Sequence, residues 1–290
     1  MPITSEEITS LKKTAKELRT TMMDIVLWSG GAHIGGSFSC TEILTILYFK
    51  YLNINPKEPQ WADRDRFVLS KGHAATGYIP TLQKKGFFPY DELKSFNHFG
   101  SPFAMHPDSN KVVGCDVSAG SLGHGLAMSA GLGIGARYQK KGWKTVCLMG
   151  DGECSEGSVW EAAMTVAHKK VNNVISIVDR NKLMIDGNTE DIVGLEPFAD
   201  KWRAFGFDVH EVDGHNYRQL SEALDAGWAA AGSDGQPKEG AKPVLILANT
   251  VKGKGVDFME GNVKWHYGSA DSTTVAQAKE SIEKSDIGGN

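Results

Sequence analysis

The chain has 290 residues, 41% of them hydrophobic, and 31 basic against 35 acidic side chains give it a net charge of -4. That is room for one large domain or two small ones, and the mixed charges form no basic stripe of the kind that grips nucleic acid. No apolar run nears the roughly 20 residues that cross a bilayer, the opening MPITSEEITS is too polar for a secretory leader, and the scattered Cys40, Cys115, Cys147 and Cys154 match neither a zinc site nor a disulfide framework; the expectation is a soluble, cytoplasmic protein with no membrane or nucleic-acid partner.

Ile8, Leu11, Ala15, Leu18, Met22 and Ile25 recur at three- and four-residue steps, which predicts an amphipathic helix over 5–28 with Ser5 as its N-cap. A glycine-rich loop, SGGAHIGGS, follows at 29–37, and 40–52 reads as helix again. RFVLS predicts a short buried strand at 66–70 that runs into a loop with His73. Residues 88–119 are less regular. GSLGHGLAMSAGLGIGARY (120–138) is dense in Gly and Ala and would let a helix pack very closely on a neighbour. TVCLM (145–149) is a continuous apolar run, as in a strand covered on both faces. A helix at 158–170, capped by Ser155 or Ser158, leads to the strand VISIV (174–178). A helix (196–205), a strand (207–212), a helix (216–231) and the strand PVLILAN (243–249) complete the alternation; 232–243 reads as a surface loop. Strand-helix alternation predicts an α/β fold: a doubly wound, mostly parallel sheet with helices on both faces. Residues 1–270 are expected to form a single domain. The segment after Gly268 lacks strong periodicity, so 271–290 reads as a tail.

The segment richest in chemistry is GDGECSEGSVWEAAMTVAHKKVNNVISIVDRNKLMIDG, residues 150–187. It starts at the C-terminal end of one strand and ends beyond the next, and ligands bind at that edge of open α/β sheets. Gly150 and Gly152 allow a tight turn and a close approach of a diphosphate to the backbone. Asp151 offers a carboxylate oxygen, and Asn181 offers a neutral amide oxygen from the end of the following strand. With a backbone carbonyl and phosphate oxygens, these would make an octahedral oxygen site suited to Mg²⁺. A GDG tripeptide alone is no more than a strand-ending turn; its combination with Asn181, the intervening helix and VISIV is far more specific. No phosphate loop of the GxxxxGK[ST] kind and no GxGxxG after a strand is present.

The whole segment resembles the thiamine-diphosphate motif of the transketolase family, and the likeness extends from about residue 10 to residue 268. The resemblance implies the thiamine-diphosphate-binding fold, in particular its diphosphate-binding domain. It implies Asp151, Asn181 and the Leu183 carbonyl as metal ligands, for Mg²⁺ with Ca²⁺ or Mn²⁺ as substitutes. Gly150 and Gly152 would face the diphosphate, and Ile185 would lie beside the thiazolium ring. SGGAHIGGS is similar to the family's first histidine loop and places His33 at the substrate hydroxyls. LSKGHA is similar to the second, with His73 reaching diphosphate and substrate. MHPD is similar to the third and puts His106 at the substrate. AGSLGHG matches the segment whose backbone holds the aminopyrimidine, here Gly120 and Leu122, and KWHYG puts His266 near the diphosphate and the reacting carbon. Glu156 matches a buried carboxylate thought to link paired sites; it is equally a glutamate placed at a helix N-terminus by the macrodipole. A single loop histidine is usually a packing residue, and His98, His168, His210 and His215, outside such contexts, are read as structural. Ile34, Met105, Ser121 and His124 depart from the family pattern and bear on the shape of the substrate funnel.

The resemblance implies ketol transfer: a two-carbon unit moves from a ketose to an aldose, with His33, His73, His106 and His266 hydrogen-bonding the sugar and moving protons. The donor is expected to be phosphorylated or otherwise anionic. In full-length relatives a second domain supplies the carboxylic acid beside the aminopyrimidine. The expectation is therefore one subunit of a split transketolase, paired with a C-terminal subunit that carries the pyrimidine-binding domain. An α2β2 assembly is expected, with self-association of this chain, and 120–137 offers a close-packing face suited to another subunit. The alternatives are another thiamine-diphosphate enzyme subunit, of 2-oxo acid dehydrogenase α type or deoxyxylulose-phosphate-synthase type, and a non-catalytic transketolase-like subunit.

Overall fold

The apolar runs become a single sheet in the computed structural model, which describes residues 2–287. The strands are β1 (Arg66–Leu69), β2 (Thr145–Gly150), β3 (Val174–Arg180), β4 (Asp208–Asp213) and β5 (Val244–Asn249). They lie in the order β1-β2-β3-β5-β4, and every neighbouring pair is parallel. Strand side chains alternate between two apolar layers, as the two-residue strand period requires. Phe67, Leu69, Val146, Leu148, Ile175 and Ile177 share one layer. Val68, Cys147, Met149, Val174, Val178 and Leu245 share the other. Burial on both faces explains why β2, β3 and β5 are written as near-continuous hydrophobic runs.

The helices are α1 (Ser5–Ser29), α2 (Gly35–Ser39), α3 (Thr41–Ile46), α4 (Ala75–Lys85), α5 (Gly125–Tyr138), α6 (Gly157–His168), α7 (Thr189–Ile192), α8 (Phe198–Ala204), α9 (Tyr217–Ala229) and α10 (Ser272–Lys284). Residues of α1, α3, α4 and α9 pack in the first layer, and residues of α5, α6 and α8 in the second. The expected doubly wound α/β architecture is thus the one observed.

Several local expectations need correction. The cap of α1 is Thr4, not Ser5: Glu7 N–H donates to its hydroxyl, and the Glu7 carboxylate accepts from Thr4 N–H in return. The helix expected at 40–52 holds its α geometry only to Ile46 and continues as a π-turn over Leu47–Tyr51. Neither Ser155 nor Ser158 caps α6; Ser158 Oγ donates instead to the Gly123 carbonyl, 3.0 Å away. The segment read as a tail contains α10, capped by Asp271. Val275, Ala278 and Ile282 of α10 are buried in a third apolar cluster with Ala15, Leu18 and Met22 of α1. Its apolar positions are few and spaced 3, 4 and 7, which is enough for a helix that needs only one narrow stripe.

Candidate functional site

The C-terminal ends of the strands carry the loops that make the site. β1 runs into Lys71 and His73, β2 into Gly150–Gly152, β3 into Asn181–Ile185 and β5 into Lys252. Together with the loops of His33, His106, Gly120 and His266 they enclose a cavity of about 360 Å³. All the candidate residues reach its wall: His33, His73, His106, His266, Gly120, Leu122, Gly150, Asp151, Gly152, Glu156, Asn181, Leu183 and Ile185. For the residues that follow β1, β2, β3 and β5 this convergence comes from the parallel sheet, which presents every strand end on the same edge.

One side of the cavity is a wall of imidazoles. The His33 ring centre lies 5.4 Å from that of His73, 6.1 Å from His106 and 5.5 Å from His266. His73 and His266 stack at 5.4 Å. Burial is the main cause of a shared electrostatic character, and neighbouring positive charge adds to it. It takes His33 down to about 4, with His106 and Lys252 contributing, and His266 down to about 3, with Lys252 contributing. His73 is held well below the ordinary imidazole value and His106 is also lowered, both by burial first. The four rings are neutral near pH 7 and can each donate and accept a hydrogen bond. Nδ1 of His33 is buried with no hydrogen-bond partner among the described residues, a polar atom that a bound molecule would satisfy.

The other side is densely charged. Asp151 Oδ1 accepts from Gly152 N–H at 2.8 Å, and Oδ2 accepts from Lys182 N–H at 2.6 Å and from Arg180 Nη1 at 3.3 Å. Burial, reinforced by Asp179, raises the Asp151 carboxyl above the usual range in spite of these donors. Such a carboxylate is short of positive charge. Asn181 Nδ2 donates to Asp179 at 3.2 Å, and its Oδ1 accepts from Leu183 N–H at 3.1 Å. The Leu183 carbonyl accepts from the Lys252 ammonium at 3.0 Å, so its oxygen already faces a cation. One carboxylate, one amide oxygen and one carbonyl, with no third acidic or imidazole ligand gathered among the described residues, is a donor set for a hard cation shared with a phosphate.

The residues that sequence reasoning passed over are the ones beneath this wall. Lys71 is buried against Asp179, and its Nζ also donates to the Gly36 carbonyl at 2.7 Å. Asp179 further accepts from Ser39 Oγ at 2.6 Å and from Thr250 Oγ1. Burial would lift the Asp179 carboxyl, but Lys71 together with the Ser39 and Thr250 hydroxyls holds it low. Lys252 differs: its Nζ meets the Leu183 carbonyl and, at 2.7 Å, Nδ1 of His266. No carboxylate among the described residues pairs with it, and burial with the nearby Lys71 takes it down to about 8. It is a cation with neutral partners on the cavity wall, suited to an anion. Its signal in the sequence is a lysine just past the last apolar run, in VKGKG.

Glu153 is likewise buried and accepts from Gly150 N–H at 2.9 Å, from Gly123 N–H at 2.8 Å and from Ser70 Oγ, tying three loops of the site together. Glu156 precedes the first residue of α6, is exposed at the rim and caps nothing. Ile185 is 65% exposed. Of the histidines set aside, His98 bonds the Trp28 carbonyl and His210 lies 3.1 Å from Asp208 on the surface; His215 belongs to a buried network outside the cavity.

Comparison with known proteins agrees with this geometry. Residues 10–285 match the family model described as the thiamine diphosphate binding domain of transketolase. The chain is 38% identical over 282 residues to a Phocaeicola vulgatus protein named as one of the subunits of an apulose-4-phosphate transketolase, covering 96% of this chain and 97% of that one. It is also 38% identical to a 6-deoxy-6-sulfo-D-fructose transketolase subunit of a Clostridium species, covering 90% of this chain and 92% of that one. Among solved structures, the transketolase of Campylobacter jejuni superposes with a TM-score of 0.85 at 30% identity, over 94% of this chain and 42% of the other.

Proposed function

This chain belongs to the transketolase thiamine-diphosphate-binding domain family, and from that premise we propose that it catalyses ketol transfer as one subunit of a two-polypeptide transketolase. The observation that carries the reading is a single cavity with a cation-seeking, anion-holding side and a neutral histidine side. Bound thiamine diphosphate would supply the carbanion chemistry that ketol transfer needs. The residues present fit it. Asp151, Asn181 and the Leu183 carbonyl would hold Mg²⁺, with Ca²⁺ or Mn²⁺ as substitutes. Gly150 and Gly152 would let the diphosphate approach the backbone, and Lys252 would balance its charge. Gly120 and Leu122 would meet the aminopyrimidine, and Ile185 would cover the thiazolium.

The histidine side would take the sugar. A neutral imidazole donates to a hydroxyl with one nitrogen and accepts from another hydroxyl with the second, so four rings suit a polyol. His33, whose buried Nδ1 has no partner among the described residues, is placed to accept from a substrate hydroxyl. Of the four rings, His266 meets Lys252 and His73 stacks on His266, so a proton could pass there to or from a carbonyl oxygen. The two relatives described above are named for a phosphorylated and a sulfonated ketose, which favours an anionic ketose as donor here. Because relatives of nearly the same length are named as subunits, a second subunit carrying the pyrimidine-binding domain is expected, in an α2β2 complex. A side chain added at Gly131 or Gly135 of α5 would meet nothing within 4 Å among the described residues, and this open small-residue face would suit self-association. Glu156, exposed in the isolated chain, would be buried by that contact.

The test is ketol transfer by the purified chain, with saturating cofactor, Mg²⁺ and a donor-acceptor pair, alone and with the candidate second subunit. Activity only in the mixture is the expected result. Robust turnover by the single chain would overturn the two-subunit reading.

A further inference from the structure

Behind the cavity, and not lining it, lies a second buried charged cluster. Arg19 of α1 and Glu42 of α3 are fully buried and meet at two points, Nη1 to Oε1 at 2.6 Å and Nη2 to Oε2 at 2.9 Å. Glu42 Oε2 is also 2.7 Å from Nδ1 of His215. The other ring nitrogen, Nε2, lies 2.9 Å from Val251 N–H. A backbone amide only donates, so Nε2 is the acceptor; Nδ1 therefore carries the proton and gives it to Glu42 as a hydrogen bond. Arg19 Nε donates to the Lys254 carbonyl at 2.8 Å.

The three side chains thus hold the backbone at Val251 and at Lys254, on either side of Lys252. Gly253 N–H donates to the Gly35 carbonyl at 3.0 Å, a third anchor. At Gly255, whose φ of +98° favours glycine, an added Cβ would come within 3.2 Å of Arg19 Cδ, so the turn is seated directly on the guanidinium stem. A buried ion pair is a weak source of net stability, because desolvation consumes most of the Coulomb attraction. What this cluster delivers instead is a fixed place for a short glycine-rich turn that has few side chains of its own to pack.

We propose that Arg19, Glu42 and His215 are positioning residues for Lys252, a relay from α1 and α3 that aims its ammonium at the Leu183 carbonyl and the cofactor diphosphate. This rests on the reading of Lys252 given above. Outer-shell partners of this kind are commonly worth 10- to 100-fold in affinity.

A double-mutant cycle separates positioning from general structural support. The affinity for thiamine diphosphate at saturating Mg²⁺ is measured by calorimetry in the two-subunit complex for wild type, H215F, K252M and the double variant. H215F is expected to weaken binding about 10-fold, and the double variant to bind no more weakly than K252M alone. H215Q, whose amide oxygen can still accept from Val251 N–H, should recover most of the loss. Should H215F fail to fold, H215N takes its place, since it keeps a donor near Glu42 and loses the acceptor at Val251. Additive losses in the double variant would overturn the relay and leave the role of Lys252 standing. Unchanged affinity in K252M would remove the role of Lys252 and the relay with it.

Discussion

The two sides of the cavity differ in enclosure and follow opposite electrostatic rules: Asp151, Lys71 and Lys252 are buried, whereas His33, His73 and His266 are only partly so and His106 is exposed. On the histidine side, burial is left unopposed, and four imidazoles sit together because none of them is charged. On the Asp151 side, burial is opposed at almost every group by a partner of opposite sign or by backbone N–H donors. The more enclosed wall is the charged one, so the supply of fixed partners weighs against burial in deciding charge. A wall without partners stays neutral and suits hydroxyls and proton exchange. A wall with partners sets them against burial, as Lys71 and two hydroxyls do at Asp179, and suits a metal-bound diphosphate.

The contrast is open to direct attack. The largest expected effect is at Asp151: replacing it with Ala removes the one carboxylate of the proposed metal set, and Mg²⁺-dependent binding of thiamine diphosphate should disappear in calorimetry of the two-subunit complex. Unchanged affinity would end the metal assignment. On the other wall, His33→Ala or His106→Ala should lower kcat by roughly 10²- to 10⁴-fold while cofactor affinity holds. A loss of cofactor affinity equal to that of Asp151→Ala would erase the distinction between the walls.

A smaller effect should appear in stability against pH. The partly buried rings have folded values below the usual imidazole value, about 4 for His33 and about 3 for His266. As pH falls below about 6.5 the unfolded chain takes up protons that the folded chain refuses. Their contribution to stability is therefore complete above that pH and is lost as pH drops toward the folded values. Urea midpoints should fall from pH 7 to pH 5, and His33→Ala should reduce the protons taken up on unfolding near pH 5 by about one. A flat profile over that range would mean the rings titrate as if in water.

Much of this was legible because local sequence and tertiary context agree. TVCLM, VISIV and PVLILAN are long enough and apolar enough to be nothing but buried strands, and they set the edge at which GDG and Asn181 must meet. The histidines were found through their loops, not through any period. What stayed hidden depends on partners far away in the chain. Lys71 and Asp179 look like an ordinary loop lysine and strand aspartate until Ser39, Thr250 and Gly36 are brought to them. His215 has no local context to mark it; its meaning comes from Glu42 and Val251. The helix α4 was unread because it carries Pro80 and begins straight after the His73 loop, and α10 because three buried side chains make too faint a stripe.

Ala32 and Gly268 form an isolated antiparallel bridge, each amide bonded to the carbonyl of the other at 3.0 and 3.1 Å. This stitches the His33 loop to the His266 loop, two segments near opposite ends of the sequence. At a synthesis rate of roughly 5–20 residues per second, residue 268 leaves the ribosome about 10–50 seconds after residue 32. The sheet strands and most helices can find their neighbours during that interval, but the His33 loop must wait for its counterpart. The His33 loop therefore cannot take its observed seat against Gly268 until that residue has been made, and the histidine wall closes later than the pairing of β1, β2 and β3 can begin.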